Sequence, residues 1–154
     1  MRFNPRREVK YRIELAIKFL EEAERAWSTG DWRRVVESSQ LASENAAKSI
    51  NMIPSWSHDP YEELIEISLG LNPEYRKPIS RLAEIAHELA PEHGRVIYGE
   101  PIRGVTPWNL YSREDAENAL DKAREAVKTA KNLIVLLNKI YSFSIIFSII
   151  KANI

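Results

Sequence analysis

The chain has 154 residues, enough for one domain with a buried core, and no repeat or low-complexity linker divides it. Its 22 basic and 22 acidic side chains cancel, so binding to nucleic acid or anionic lipid needs a local patch rather than bulk charge. The absence of cysteine excludes disulfides and thiolate metal sites and fits a reducing, cytoplasmic setting. Only 5 glycines, amid abundant Ala, Leu, Glu, Lys and Arg, point to an all-α protein.

Residues 1–7 read as a flexible arm, charged and without the apolar core of a secretory signal. From Glu8 to Ser28, Ile13, Ile17, Leu20, Ala23 and Trp27 recur at three- and four-residue steps, the core face of an amphipathic helix. Gly30 suits the end of that helix, and Asp31 can cap the next by accepting an orphan backbone N–H. The stretch Asp31 to Ile53 has no proline or glycine and is the expected centre of the fold. At about 100° per residue, Ser39, Ala42, Ala46 and Ser49 share one side, small enough for another helix to approach closely. Glu37, Gln40, Glu44, Lys48 and Asn51 share the other. That second row is either a solvated face, with Glu44–Lys48 an i,i+4 pair worth about 0.2–0.5 kcal/mol, or a polar line on a central helix.

Pro54 ends this run, and IPSWSHDP reads as a loop with His58 a turn residue. Asp59-Pro60, with Glu62 in the capping-box position, predicts a short helix from Pro60 to Leu69 that stops at Gly70. Asn72-Pro73-Glu74 repeats the signal and starts a helix to about Leu89, in which Pro78 predicts a kink or a late start. Pro91 to Tyr111 holds three glycines and three prolines and reads as a long loop, of a kind usually functional or disordered. Ser112 caps the last helix with Asp115 three residues on, and Ala116, Leu120, Ala123, Val127, Ala130 and Ile134 form its core stripe. Residues 138–154 form a separate apolar helical extension, packed on the body or bridging subunits. Its asparagine, lysines and serines argue against a membrane span, which wants about 20 apolar residues.

Two stretches carry a resemblance. GDWRRVVESSQLASENAAKSI, preceded by a helix ending FLEEAERAWSTG, resembles the first helical hairpin of the HEPN domain family, in its archaeal and bacterial nucleotidyltransferase-associated type. The matching positions are Gly30-Asp31 at the turn, then Gln40, Ala42, Glu44, Ala46 and Lys48. RVIYGEPIRGVTPWNLYSREDAENALDKAREAV resembles the second family signature, an Arg-x-x-Tyr segment, a proline-containing loop and a long helix opening near Glu-Asp-Ala. The resemblance covers residues 8 to 137 and implies an up-and-down bundle of four to five helices, acting as a homodimer.

The resemblance also implies chemistry. Many HEPN proteins are metal-independent ribonucleases with an Arg-x4–6-His motif, whose arginine would stabilise phosphate charge and whose histidine would act on a ribose or leaving oxygen. Arg81 and His87 satisfy that spacing, although Leu82 stands where the family usually has a polar residue. Six residues apart on one helix, they also point about 120° away from a shared face. Other members are binding modules beside a small nucleotidyltransferase. For that role the candidate ligand residues are Glu44 and Lys48 with His93, Arg95 and Tyr98, Arg95 gripping phosphate and Tyr98 stacking. A purely structural use is open too, with Tyr98 packing the loop down and Arg95 paired to a carboxylate such as Glu44. No metal-ligand spacing, phosphate loop or dinucleotide fingerprint is present, so no metal or cofactor is expected. The leading expectation is a nucleotide- or RNA-binding module paired with a nucleotidyltransferase in a toxin–antitoxin-like system. An endoribonuclease and a ligand-free assembly protein are the alternatives.

Overall fold

The structure, a computed structural model, describes residues 5–51 and 72–140, with side chains described for 7–50 and 72–136. The helices are α1 (Pro5–Thr29), α2 (Trp32–Asn51), α3 (Pro73–Leu89), α4 (Glu92–Tyr98), α5 (Pro107–Leu110) and α6 (Arg113–Ile140), with a 3₁₀ turn over Pro101–Arg103. Among the described residues there is no strand, and the isolated bridge Glu100–Val105 is antiparallel. The protein is an all-α bundle.

Local signals set the helix ends. Gly30 has φ +72°, and the Asp31 N–H donates to the Ala26 carbonyl at 3.0 Å, so the first helix closes in a left-handed turn. Asp31 Oδ1 then accepts the Arg34 N–H at 3.1 Å and caps α2. α3 begins at Pro73, as the Asn-Pro pair predicts, although the Asn72 side chain makes no cap bond. The helix starts on time and runs through Pro78. At the head of α6, the Ser112 N–H donates to Asp115 Oδ2 at 2.8 Å and the Asp115 N–H to Ser112 Oγ at 3.1 Å, a complete capping box.

α2 is the central helix, since it touches α1, α3, α4, α5 and α6. Its small stripe Ser39, Ala42, Ala46, Ser49 is buried, and Ala42 and Ala46 belong to an alanine-rich core with Ala16, Ala23, Ala116, Ala123 and Ala130. Side chains this small allow close helix approach, and Ile79, Leu82, Ile85, Leu120 and Leu133 supply bulk around them. Leu82, which follows Arg81, is therefore a core residue.

The polar row of α2 departs from the solvated alternative. Gln40 and Glu44 are buried and Lys48 is largely covered. Gln40 Nε2 donates to Glu44 Oε2 at 2.8 Å and Lys48 Nζ to Glu44 Oε1 at 2.6 Å, so both carboxylate oxygens are satisfied within the helix. The segment after α3 also differs from a long loop. It is folded into α4, the 3₁₀ turn and α5, because side-chain bonds described below hold it. The predicted helix Pro60–Leu69, His58 and the tail beyond Ile140 lie outside the described residues. No helix among the described residues is long and apolar enough to cross a membrane.

Candidate functional site

The end of α3, α4 and the start of α6 enclose a cleft of about 270 Å³. Val36, Leu89, Leu110 and Ala119 form its apolar lining, and Glu88, Glu92, Arg95, Arg103, Tyr111, Asp115, Asn118 and Lys122 its polar lining. α2 holds the outer wall in place. Arg33 Nη1 donates to the Val96 carbonyl at 2.7 Å and its guanidinium lies 5.5 Å from the Trp108 ring centre, tying α2 to both α4 and α5.

The wall is one continuous hydrogen-bonded set. Tyr111 OH donates to Glu92 Oε2 at 2.6 Å, and Arg95 Nη1 donates to Glu92 Oε1 at 2.7 Å. Arg95 Nη2 donates to Glu100 Oε1 at 2.6 Å, and the other oxygen of Glu100 accepts from Arg103 Nη1. The bond to Glu100 keeps the Arg95 guanidinium even more firmly protonated than usual, and Arg95 with Arg103 holds the Glu100 carboxyl below its ordinary range. Burial, then the bond to Glu92, pushes the Tyr111 hydroxyl upward. On the α3–α6 side of the cleft, Lys122 Nζ sits 2.5 Å from Glu88 Oε2.

The backbone behind Glu100 is tightly built. Gly99 has φ +66°, and a Cβ there would lie 2.2 Å from the Val105 carbonyl oxygen and 2.9 Å from Pro107 N, so only glycine fits. Glu100 N–H donates to the Val105 carbonyl at 2.8 Å and Val105 N–H returns the bond at 3.1 Å.

Of the residues expected from the sequence to hold a ligand, Arg95 lines this cleft. Glu44, Lys48, His93 and Tyr98 do not. Glu44 and Lys48 compensate each other on α2, and His93 is exposed on α4. Tyr98 is 73% exposed, so it does not pack the segment down, and that work falls to Tyr111. The carboxylates on Arg95 are Glu92 and Glu100 rather than Glu44. Glu92 and Arg103 stand three residues from their partners, a spacing visible in the sequence, whereas Tyr111 and Lys122 join only through the fold.

Arg81 and His87 share α3. Arg81 is partly exposed and bonds Glu125 of α6 at two points, Nε to Oε1 at 2.9 Å and Nη2 to Oε2 at 3.1 Å, with Glu84 and Glu88 within 4 Å. His87 is exposed near the end of α3. Among the described residues, no group of three or more His, Asp or Glu is placed to hold a metal ion.

No curated protein and no solved structure matches this chain. A sequence model of the HEPN domain matches residues 9–133, in agreement with the hairpin and the second signature, and the chain belongs to the HEPN domain family.

Proposed function

We propose that this chain is a nucleotide- or RNA-binding HEPN module with the α3–α4–α6 cleft as its ligand site. In this reading it acts as a cytoplasmic homodimer with a minimal nucleotidyltransferase, in a toxin–antitoxin-like pair. HEPN membership supports the ligand class, since the family is linked to nucleotide and RNA binding and to ribonuclease activity. The observation that carries the reading is the cleft itself, where Arg95, Arg103 and Lys122 stand together among the carboxylates Glu88, Glu92 and Asp115. Guanidinium groups suit phosphate.

Binding is favoured over cleavage by position, since neither Arg81 nor His87 lines the cleft. The Arg81 guanidinium instead braces α3 to Glu125 of α6. The test is anisotropy of a labelled single-stranded RNA. Arg95→Ala should weaken binding by about 1–3 kcal/mol, the cost of losing a charge-assisted bond. Unchanged affinity would remove the cleft from the ligand path.

A second reading, an assembly module, is favoured by Ile97, Tyr98, Ile102 and Trp108. All four are large, exposed and presented by the ordered segment between α3 and α6. Replacing Ile102 with Asp should then lower the sedimenting mass at fixed concentration while leaving RNA affinity unchanged.

A further inference from the structure

We propose that Glu100 is a resident anion that occupies a phosphate position between Arg95 and Arg103 and must swing aside for a ligand to bind. The inference rests on the phosphate-binding reading of Arg95 and concerns the regulation of that same cleft.

Three observations carry it. The two guanidiniums meet on one carboxylate, each taking a different oxygen of Glu100. This is the arrangement in which two arginines would share a phosphate group. Both arginines also line the cleft of about 270 Å³, so guanidiniums freed from Glu100 would be available to a phosphate bound there. The third observation is mechanical. The main chain of Glu100 is fixed by its paired bonds to Val105 and by the tight fit at Gly99, whereas its side chain is held by its hydrogen-bonded ion pairs with the two arginines. Rotation about the side-chain bonds would release both guanidiniums without moving the backbone. Arg95 would stay aimed, since Glu92, itself braced by Tyr111, grips its other terminal nitrogen. A terminal phosphate brings more charge than a carboxylate and a backbone phosphodiester the same single charge; either would replace Glu100 one for one, with no bond made or broken beyond hydrogen bonds.

The test uses the full chain at low salt in titration calorimetry, with sodium pyrophosphate and with one RNA oligonucleotide prepared in 5′-phosphorylated and 5′-hydroxyl forms. Glu100→Gln keeps the size and removes the competing charge, and it should tighten pyrophosphate binding about tenfold. Adding Arg103→Ala should reverse that gain. A gain confined to the 5′-phosphorylated RNA assigns the position to a terminal phosphate, and an equal gain for both forms assigns it to the backbone. Should Glu100→Gln unfold the segment, Glu100→Asp keeps the charge but is too short to span both arginines, and it should give a smaller gain of the same sign. If neither variant binds pyrophosphate more tightly than the unaltered protein, Glu100 is only a brace and the proposal is overturned. RNA binding by the unaltered chain alongside that result would leave the cleft reading standing. A pyrophosphate gain with no RNA binding in any form would keep the gate and overturn the RNA reading.

Discussion

Arg81 on α3 and Glu125 on α6 meet in a two-point bond, with nitrogen–oxygen distances of 2.9 and 3.1 Å, that staples the two helices across 44 residues of sequence. The contact keeps Arg81 firmly protonated and Glu125 ionised below its ordinary range, each through the other. An arginine so held is a brace. Because both side chains are partly exposed, Arg81→Ala should cost no more than about 1 kcal/mol of stability. Purified protein with chelator should leave RNA intact, and His87→Ala should move the melting temperature more than any cleavage. Metal-independent cleavage abolished by His87→Ala would make this an enzyme.

The central position of α2 makes its small stripe sensitive to bulk. Ala46 is fully buried, and Ala46→Leu should overpack the contact at a cost of about 1–3 kcal/mol, read as a lower melting temperature. An unchanged transition would mean that the neighbouring helices are free to move apart.

Two serines on the same helix should behave in the opposite way. Ser39 Oγ and Ser43 Oγ are buried with no hydrogen-bond partner among the described residues, and a hydroxyl so placed carries an uncompensated desolvation cost of about 1–3 kcal/mol. Ser39→Ala and Ser43→Ala remove that cost with almost no loss of volume. Both variants should therefore be as stable as the unaltered protein or more so by chemical denaturation. A clear loss of stability in either would show that its hydroxyl has a bonding role, for example to an internal water.

How far the sequence discloses this fold depends on how local each signal is. The Gly30-Asp31 turn and the Ser112–Asp115 box are legible because every atom they use lies within a few residues. The row Gln40, Glu44, Lys48 is not, because the same pattern serves a wet face and a covered one, and only the packing around α2 decides. The segment from Pro91 to Tyr111 misleads for a related reason. Its glycines and prolines break long helices, yet the bonds from Arg95 to Glu100 and Tyr111 to Glu92 order what remains. Arg95 carries the mark of the family signature, whereas Lys122, from the far helix, has no local mark at all.

The bond between Tyr111 and Glu92 gives a prediction in pH. A tyrosine hydroxyl ordinarily ionises near pH 10, and in the folded protein burial followed by the negative charge of Glu92 pushes it higher. The folded state therefore keeps its proton where the unfolded chain gives it up. The sign follows from linkage: the contribution is fully present below about pH 10 and is lost as the pH climbs above that value. Tyr111→Phe removes the titrating group and leaves Glu92 Oε2 without its donor, which should lower stability at neutral pH by about 1 kcal/mol, the low end for a half-buried site. Measured by urea unfolding from pH 8 to 11, the unaltered protein should lose stability relative to Tyr111→Phe at the alkaline end, so the two curves converge. Curves that stay parallel through pH 11 would show that the hydroxyl is no better protected in the fold than in the open chain, and the anchoring of Arg95 through Glu92 would lose its inner support.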